Sequence, residues 1–134
     1  PGSGISGMMI PPYVAAALAG DNRSLAGPAS IHTVSTCAGQ EDHISMGVSA
    51  ARKALKAVEN AENIIGIELL CGCQALEFHR PLKASVGSEA TLALVRKQGP
   101  FRQQDSAVYP DMQAIRGLIR EGTLARLLTD LSCQ

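Results

Sequence analysis

Residues Ile44 to Leu76 read ISMGVSAARKALKAVENAENIIGIELLCGCQAL, and this stretch decides the fold. Ile44, Val48, Ala51, Leu55, Val58, Ile65, Leu69, Cys73 and Leu76 recur at three-and-four spacing, with Glu62 as the single break. That is the period of a helix carrying one apolar stripe. Extended to its flanks, the pattern predicts a helix from His43 to His79, roughly 55 Å long at about 1.5 Å per residue. Such a helix is longer than a compact domain of this size is wide. Its stripe therefore calls for partners beyond the short helices nearby. Gly66 and Gly72 mark either a bend or a close helix–helix contact.

On the N-terminal side of this helix stands Gln40-Glu41-Asp42-His43, a burst of polar and titratable groups. Two readings compete. In one, Asp42 is the N-cap and Glu41 lies at the positive end of the helix dipole. In the other, the carboxylates and the imidazole belong to a site. The stretch before them, Gly27 to Gly39, has no sustained period and is dominated by Ser, Thr, Pro and Gly. A connection of that length is more often functional than decorative. Further upstream a helix is expected from Gly7 to Gly20, capped by Ser6, with Pro11 and Pro12 in its first turn. Asp21-Asn22-Arg23 marks its exit, and Pro1 to Gly7 is loop.

Towards the C-terminus, Arg80-Pro81 stops the long helix. A helix capped by Ser88 runs to Gln98 and ends at Gly99-Pro100. Another runs from Pro110, at its first position, to Gly122, followed by a turn over Thr123 to Leu128. No alternating strand pattern or internal repeat is present. The expected fold is all-α, a long central helix plus shorter ones. Its single unit, 1–134, divides into a first helix with leader loop (1–20), an active-site-type loop (21–42), the long helix (43–79) and short C-terminal helices (80–134).

Charge excludes some partners. Lys plus Arg and Asp plus Glu number twelve each in 134 residues, so no basic field exists for a nucleic acid or an anionic membrane. Aromatic content is 3%, with no Trp, which argues against a base-stacking surface. Cys37, Cys71, Cys73 and Cys133 form no metal-site spacing, and no metal is expected. Cys71 and Cys73 point to different faces of one helix. All four read as buried free thiols of a cytoplasmic protein. No signal peptide and no bilayer-length apolar run is present. The chain opens at Pro1-Gly2-Ser3-Gly4 without an initiator Met, so a fragment is expected.

Several blocks together resemble the C-terminal quarter of the histidine ammonia-lyase family, within the aromatic amino-acid ammonia-lyases. They are Ser6-Gly7-Met8-Met9-Ile10-Pro11, Ala15-Ala16-Ala17-Leu18, Pro28-Ala29-Ser30, and the run from Ala38 through Gln40-Glu41-Asp42-His43 to Gly47. Ala51-Arg52-Lys53, Val58-Glu59-Asn60, Ile67-Glu68-Leu69-Leu70, Cys73-Gln74-Ala75-Leu76 and Tyr109-Pro110-Asp111 follow in family order. The resemblance implies elimination of ammonia from L-histidine to give urocanate. It also implies a methylidene-imidazolone electrophile, formed from an Ala-Ser-Gly tripeptide, and a homotetramer bundled around long helices. That tripeptide is not in this chain: Ala29-Ser30-Ile31 and Ala84-Ser85-Val86 come nearest, and neither has the glycine. The family's catalytic tyrosine loop is missing too, so the chain alone is expected to be inactive and to need the remainder of the polypeptide.

By the same resemblance, Glu41 is the catalytic candidate. It would bind the substrate imidazole N–H or act as a base if desolvation raises its pKa. Met9 and Gln40 are the substrate-binding candidates, with core packing and backbone satisfaction as their plain alternatives. Asp42 and His43 are assigned to capping and to fixing the loop. The phenylalanine-specific branch carries glutamine in place of Glu41, which favours histidine. Two other readings stay open: a tyrosine or phenylalanine lyase or aminomutase, and a non-catalytic helical assembly module.

Overall fold

The structure, a computed structural model, describes residues 7–132, with side chains to residue 131. The expected cap at Ser6 and the thiol of Cys133 lie outside the described residues. Among these there are five α-helices and no strand: α1 (Ile10–Leu25), α2 (Gly47–Glu77), α3 (Val86–Arg96), α4 (Tyr109–Arg120) and α5 (Thr123–Ser132). Short 3-10 turns lie at Ala29–His32 and Cys37–Gly39. No helix among the described residues is long and apolar enough to cross a membrane.

α2 is the spine. Its 31 residues span about 46 Å at ~1.5 Å per residue. α1 runs antiparallel to it: the Asn22 side chain donates to the Ala57 carbonyl at 3.2 Å and accepts from Asn60 Nδ2 at 2.9 Å. Near the start of α1, Pro12 and Ala15 border Ile64, Ile67 and Cys71. α4 also runs antiparallel, crossing α2 at Gly66. A Cβ on Gly66 would stand 3.5 Å from the Arg116 amide nitrogen, so this glycine marks a close helix contact, whereas Gly72 faces open space. Arg116 pairs with Glu62 at 3.1 Å beside that crossing. Glu62, the break in the apolar stripe, thus has a partner.

The core is small: Leu70 and Cys73 from α2, Leu92 and Val95 from α3, and Ile115 from α4, with Met8, Leu69, Val108 and Met112 packed around them. Polar groups hold the 98–108 connection against it. Gln74, itself buried, donates to the Arg102 carbonyl at 2.7 Å and accepts from the Arg102 amide at 3.3 Å. The Arg102 guanidinium pairs with buried Asp111, and Arg96 pairs with Glu77 while donating to the Gly99 carbonyl at 2.8 Å. Gly99 allows a close approach here, because a Cβ would stand 3.2 Å from Asp111 Cβ and force that side chain to shift.

Several expected boundaries move, each for a local reason. α1 continues past Gly20 to Leu25, because Asn22 turns inward to bond α2 instead of ending the helix. α2 begins at Gly47, four residues after His43. Met46, at φ 53°, turns the chain left-handed, and the Ile44 amide is taken by Thr33 Oγ1 at 2.8 Å. Asp42 is therefore not an N-cap. α2 then ends at Glu77 instead of His79. α3 is capped by Ser85, whose hydroxyl accepts from the Ser88 amide, so the helix starts at Val86 and Ser88 sits inside it. α4 starts one residue earlier than Pro110 and stops at Arg120. The expected turn after Thr123 is a full helix, α5. Pro11 and Pro12 do occupy the first turn of α1.

The cysteines divide. Cys73 is buried and Cys71 half-buried on another face, and burial raises both thiols above their ordinary value. Cys37 is exposed, against expectation, because it sits at the tip of a loop.

Candidate active-site loop

Between α1 and α2 the chain makes a tight hairpin. Thr36 and Glu41 pair through both backbone groups: the Thr36 amide donates to the Glu41 carbonyl at 2.9 Å and the Glu41 amide to the Thr36 carbonyl at 3.3 Å. Thr36 Oγ1 also donates to Glu41 Oε2 at 3.2 Å, and Ser35 Oγ donates to Asp42 Oδ1 at 2.9 Å. The bond from the Ile44 amide to Thr33 Oγ1 closes the base. All three pairs, 33 with 44, 35 with 42 and 36 with 41, are symmetric about the Ala38–Gly39 peptide. That is the register of an antiparallel ladder.

The tip is strained. Cys37 and Ala38, at φ 52° and 56°, and Gly39, at φ 83°, all lie in the left-handed region. For a non-glycine residue this costs on the order of 1–2 kcal/mol. Only Gly39 takes the conformation without a Cβ penalty. Three hydroxyl rungs offset that strain and hold the tip in place. Strained backbone held by surrounding bonds is commonest where a side chain must be aimed.

Glu41, Gln40, Asp42 and His43 all lie exposed on this hairpin. Thr36 engages one Glu41 oxygen, which leaves Oε1 open among the described residues. The loop thus carries a braced carboxylate with one free oxygen, beside a second carboxylate and an imidazole. Chemically, that set is able to orient an N–H donor or receive a proton.

Met9 is elsewhere. It stands at the N-cap of α1 and is 53% exposed, beside Met8, which packs on the core. The antiparallel course of α1 sets it alongside the far half of α2, on the order of 30 Å from the hairpin at ~1.5 Å per residue. The structure therefore brings Gln40 and Glu41 together and leaves Met9 apart. A groove of about 470 Å³ between α2 and the 98–108 connection, lined by Met8, Cys71, Phe78, Phe101 and Arg102, contains none of the three.

Neither Ala-Ser pair fits a self-cyclising tripeptide. Ser30 lies inside a 3-10 turn, Ser85 is occupied in capping α3, and β-branched Ile31 and Val86 stand where a bare glycine amide is required. Sequence reasoning missed the bracing residues Thr33, Ser35 and Thr36. For two of them a signal was present: the Ser35 and Thr36 hydroxyls are mirrored by the Asp42 and Glu41 carboxylates across a glycine turn, whereas Thr33 meets only the Ile44 amide.

A long helical spine, antiparallel flanking helices and a braced acidic loop define an all-α segment of the type found in ammonia-lyases and aminomutases. The chain belongs to the aromatic amino acid lyase family, whose sequence model matches residues 2–97. It is 47% identical over 128 residues to the histidine ammonia-lyase of Rhodospirillum rubrum, covering 95% of this chain and 25% of that protein. The crystal structure of histidine ammonia-lyase from Trypanosoma cruzi superposes with a TM-score of 0.89 at 41% identity, over 94% of this chain and 25% of that one. Tyrosine aminomutase from Streptomyces globisporus superposes with a TM-score of 0.88 at 30% identity, over 97% and 24%. The chain spans about a quarter of the length of the relatives it matches.

Proposed function

We propose that this chain is part of an ammonia-lyase that converts L-histidine to urocanate, with Glu41 delivered to the substrate by the hairpin. The observation that carries this reading is the braced Glu41 carboxylate with one oxygen open, on a segment 47% identical to a histidine ammonia-lyase. An imidazole N–H offers that oxygen a donor. A benzyl ring offers none.

This chain's own Ala-Ser pairs do not fit a methylidene-imidazolone, which in this reading would lie in the remainder of the polypeptide and would supply the electrophile for loss of ammonia. What these residues contribute is orientation and a proton acceptor. Glu41 holds the ring or takes a proton through Oε1, and Gln40 lines the same loop. Met9 serves as a pocket wall. Met9 lies far from Glu41 within one chain, so in this reading a different copy supplies it, as an assembly of identical subunits in a tetramer would allow. A reducing, cytoplasmic setting suits the free thiols.

The decisive test is Glu41→Gln in the complete enzyme, read by urocanate absorbance. Turnover of histidine is expected to fall by about 100-fold or more, with little change in melting temperature. Wild-type kinetics in a folded Glu41→Gln protein would end this role for Glu41. A second reading, an aminomutase acting on tyrosine, draws support from the 0.88 superposition on tyrosine aminomutase. Appearance of β-tyrosine from L-tyrosine, without urocanate from histidine, would favour it.

A further inference from the structure

We infer that Thr36 is the positioning residue for Glu41. This rests on the reading of Glu41 as the carboxylate that meets the substrate, and adds to it the device that aims the group. Glu41 is exposed and has three side-chain torsions, so nothing in its own backbone fixes where its oxygens point. Thr36 lies directly opposite in the ladder and is tied to Glu41 three times. Two bonds are between backbones, and the third runs from Thr36 Oγ1 to Glu41 Oε2 at 3.2 Å.

Division of labour follows from this geometry. The backbone pair sets the height of Glu41 on the hairpin. The hydroxyl selects which oxygen is held and which is free. Threonine suits the task better than serine, since β-branching restricts its χ1 and keeps the hydroxyl on the carboxylate side. Ser35 and Thr33 make the neighbouring rungs, to Asp42 and to the Ile44 amide, so removing the Thr36 hydroxyl alone leaves the hairpin with its backbone pair and two other braces. That separates aiming from folding. A freed Glu41 would sample several rotamers, only one of them productive, and the loss belongs to the reacting complex more than to the ground state.

The test uses the complete enzyme and four variants: Thr36→Val, Thr36→Ser, Glu41→Gln and the double change of Thr36→Val with Glu41→Gln. Thr36→Val keeps the shape and the backbone pair and deletes the donor. Its kcat on histidine is expected to fall by about 10-fold or more, with KM changed by less than about threefold. Thr36→Ser should recover most of the loss. In the Glu41→Gln background, Thr36→Val should cost almost nothing further, because residues that act as a unit are not additive. A full additional loss there would overturn the inference, as would unchanged kcat in Thr36→Val when Glu41→Gln is inactive. If Glu41→Gln itself keeps wild-type kinetics, the reading of Glu41 has failed instead, and the two failures are told apart. Should Thr36→Val and Thr36→Ser both fail to fold, Thr36 would belong to the architecture and the inference would be wrong.

Discussion

The two halves of α2 differ more than any other two regions of the molecule. From Asn60 to Gln74 the helix is an interior element: Asn60, Gly66, Ile67, Leu70, Cys73 and Gln74 are buried against α1, α3 and α4. From Gly47 to Glu59 the same helix keeps its apolar period and leaves it uncovered. Val48 is 70% exposed, Leu55 63% and Val58 57%. Ile65, on the outer face of the buried half, is still 44% exposed. Among the described residues only the end of α1 and the turn at 29–32 lie against this half, and the Val and Leu stripe they leave bare, at heptad-like spacing, suits a surface supplied by something else. One half of the spine folds this segment, and the other half awaits company.

The contrast has a direct mutational form. Leu70→Ala, in the buried half, is expected to cost about 2–5 kcal/mol of folding stability, measured by urea unfolding of the isolated chain. Leu55→Ser with Val58→Ser, in the open half, should change that stability by less than about 0.5 kcal/mol. The same pair should shift sedimentation of the isolated chain towards monomer, because the bare stripe seeks a partner. A stability loss approaching that of Leu70→Ala would break the comparison, by showing that the stripe is covered within the chain.

The smallest effect lies just beyond the buried half. Arg80 makes a bidentate hydrogen bond to Glu89, at 2.8 Å to each oxygen, backed by the Ala84 amide at 2.8 Å. These bonds hold the Glu89 carboxyl at about 2, below its ordinary 4.5. A carboxyl lowered on folding adds stability that is whole above the unfolded value and is lost as pH falls through the folded one. The difference in melting temperature between wild type and Glu89→Gln should therefore be constant above pH ~5 and close between ~4.5 and ~2. Solvent screens this surface pair, so the difference is small at every pH. A gap that widened on acidification would contradict the sign.

Most of the helices were legible, because three-and-four spacing and proline positions are local properties of the sequence. What was illegible depended on which of two equivalent signals the tertiary structure used. Ser85 and Ser88 are both sound caps, and only the folded chain shows that Ser85 is taken. Asn22 reads as a helix exit until Asn60 and the Ala57 carbonyl are seen to receive it. Met46 carries no sign that it turns left-handed, a conformation in which a glycine would have announced itself. At the loop, Gln40 and Glu41 are singled out only by resemblance, whereas Thr33, Ser35 and Thr36 drew no attention. Their meaning lies in pairing across a turn, and a linear reading records only that hydroxyls are common there.

Gln74 has a consequence of its own. By giving an N–H to the Arg102 carbonyl and taking the Arg102 amide, its carboxamide does for one peptide unit what an adjoining β-strand would do. The 98–108 connection is thereby spared any need for regular structure. The arrangement has a polarity: one end of the amide must give and the other must accept. Glutamate has the same shape as glutamine but offers two acceptors and no donor at neutral pH. Replacing a single nitrogen by oxygen would turn the donor facing the Arg102 carbonyl into a second acceptor, and at that end the clamp would become a wedge, even with the Arg96 guanidinium 3.4 Å from the other oxygen.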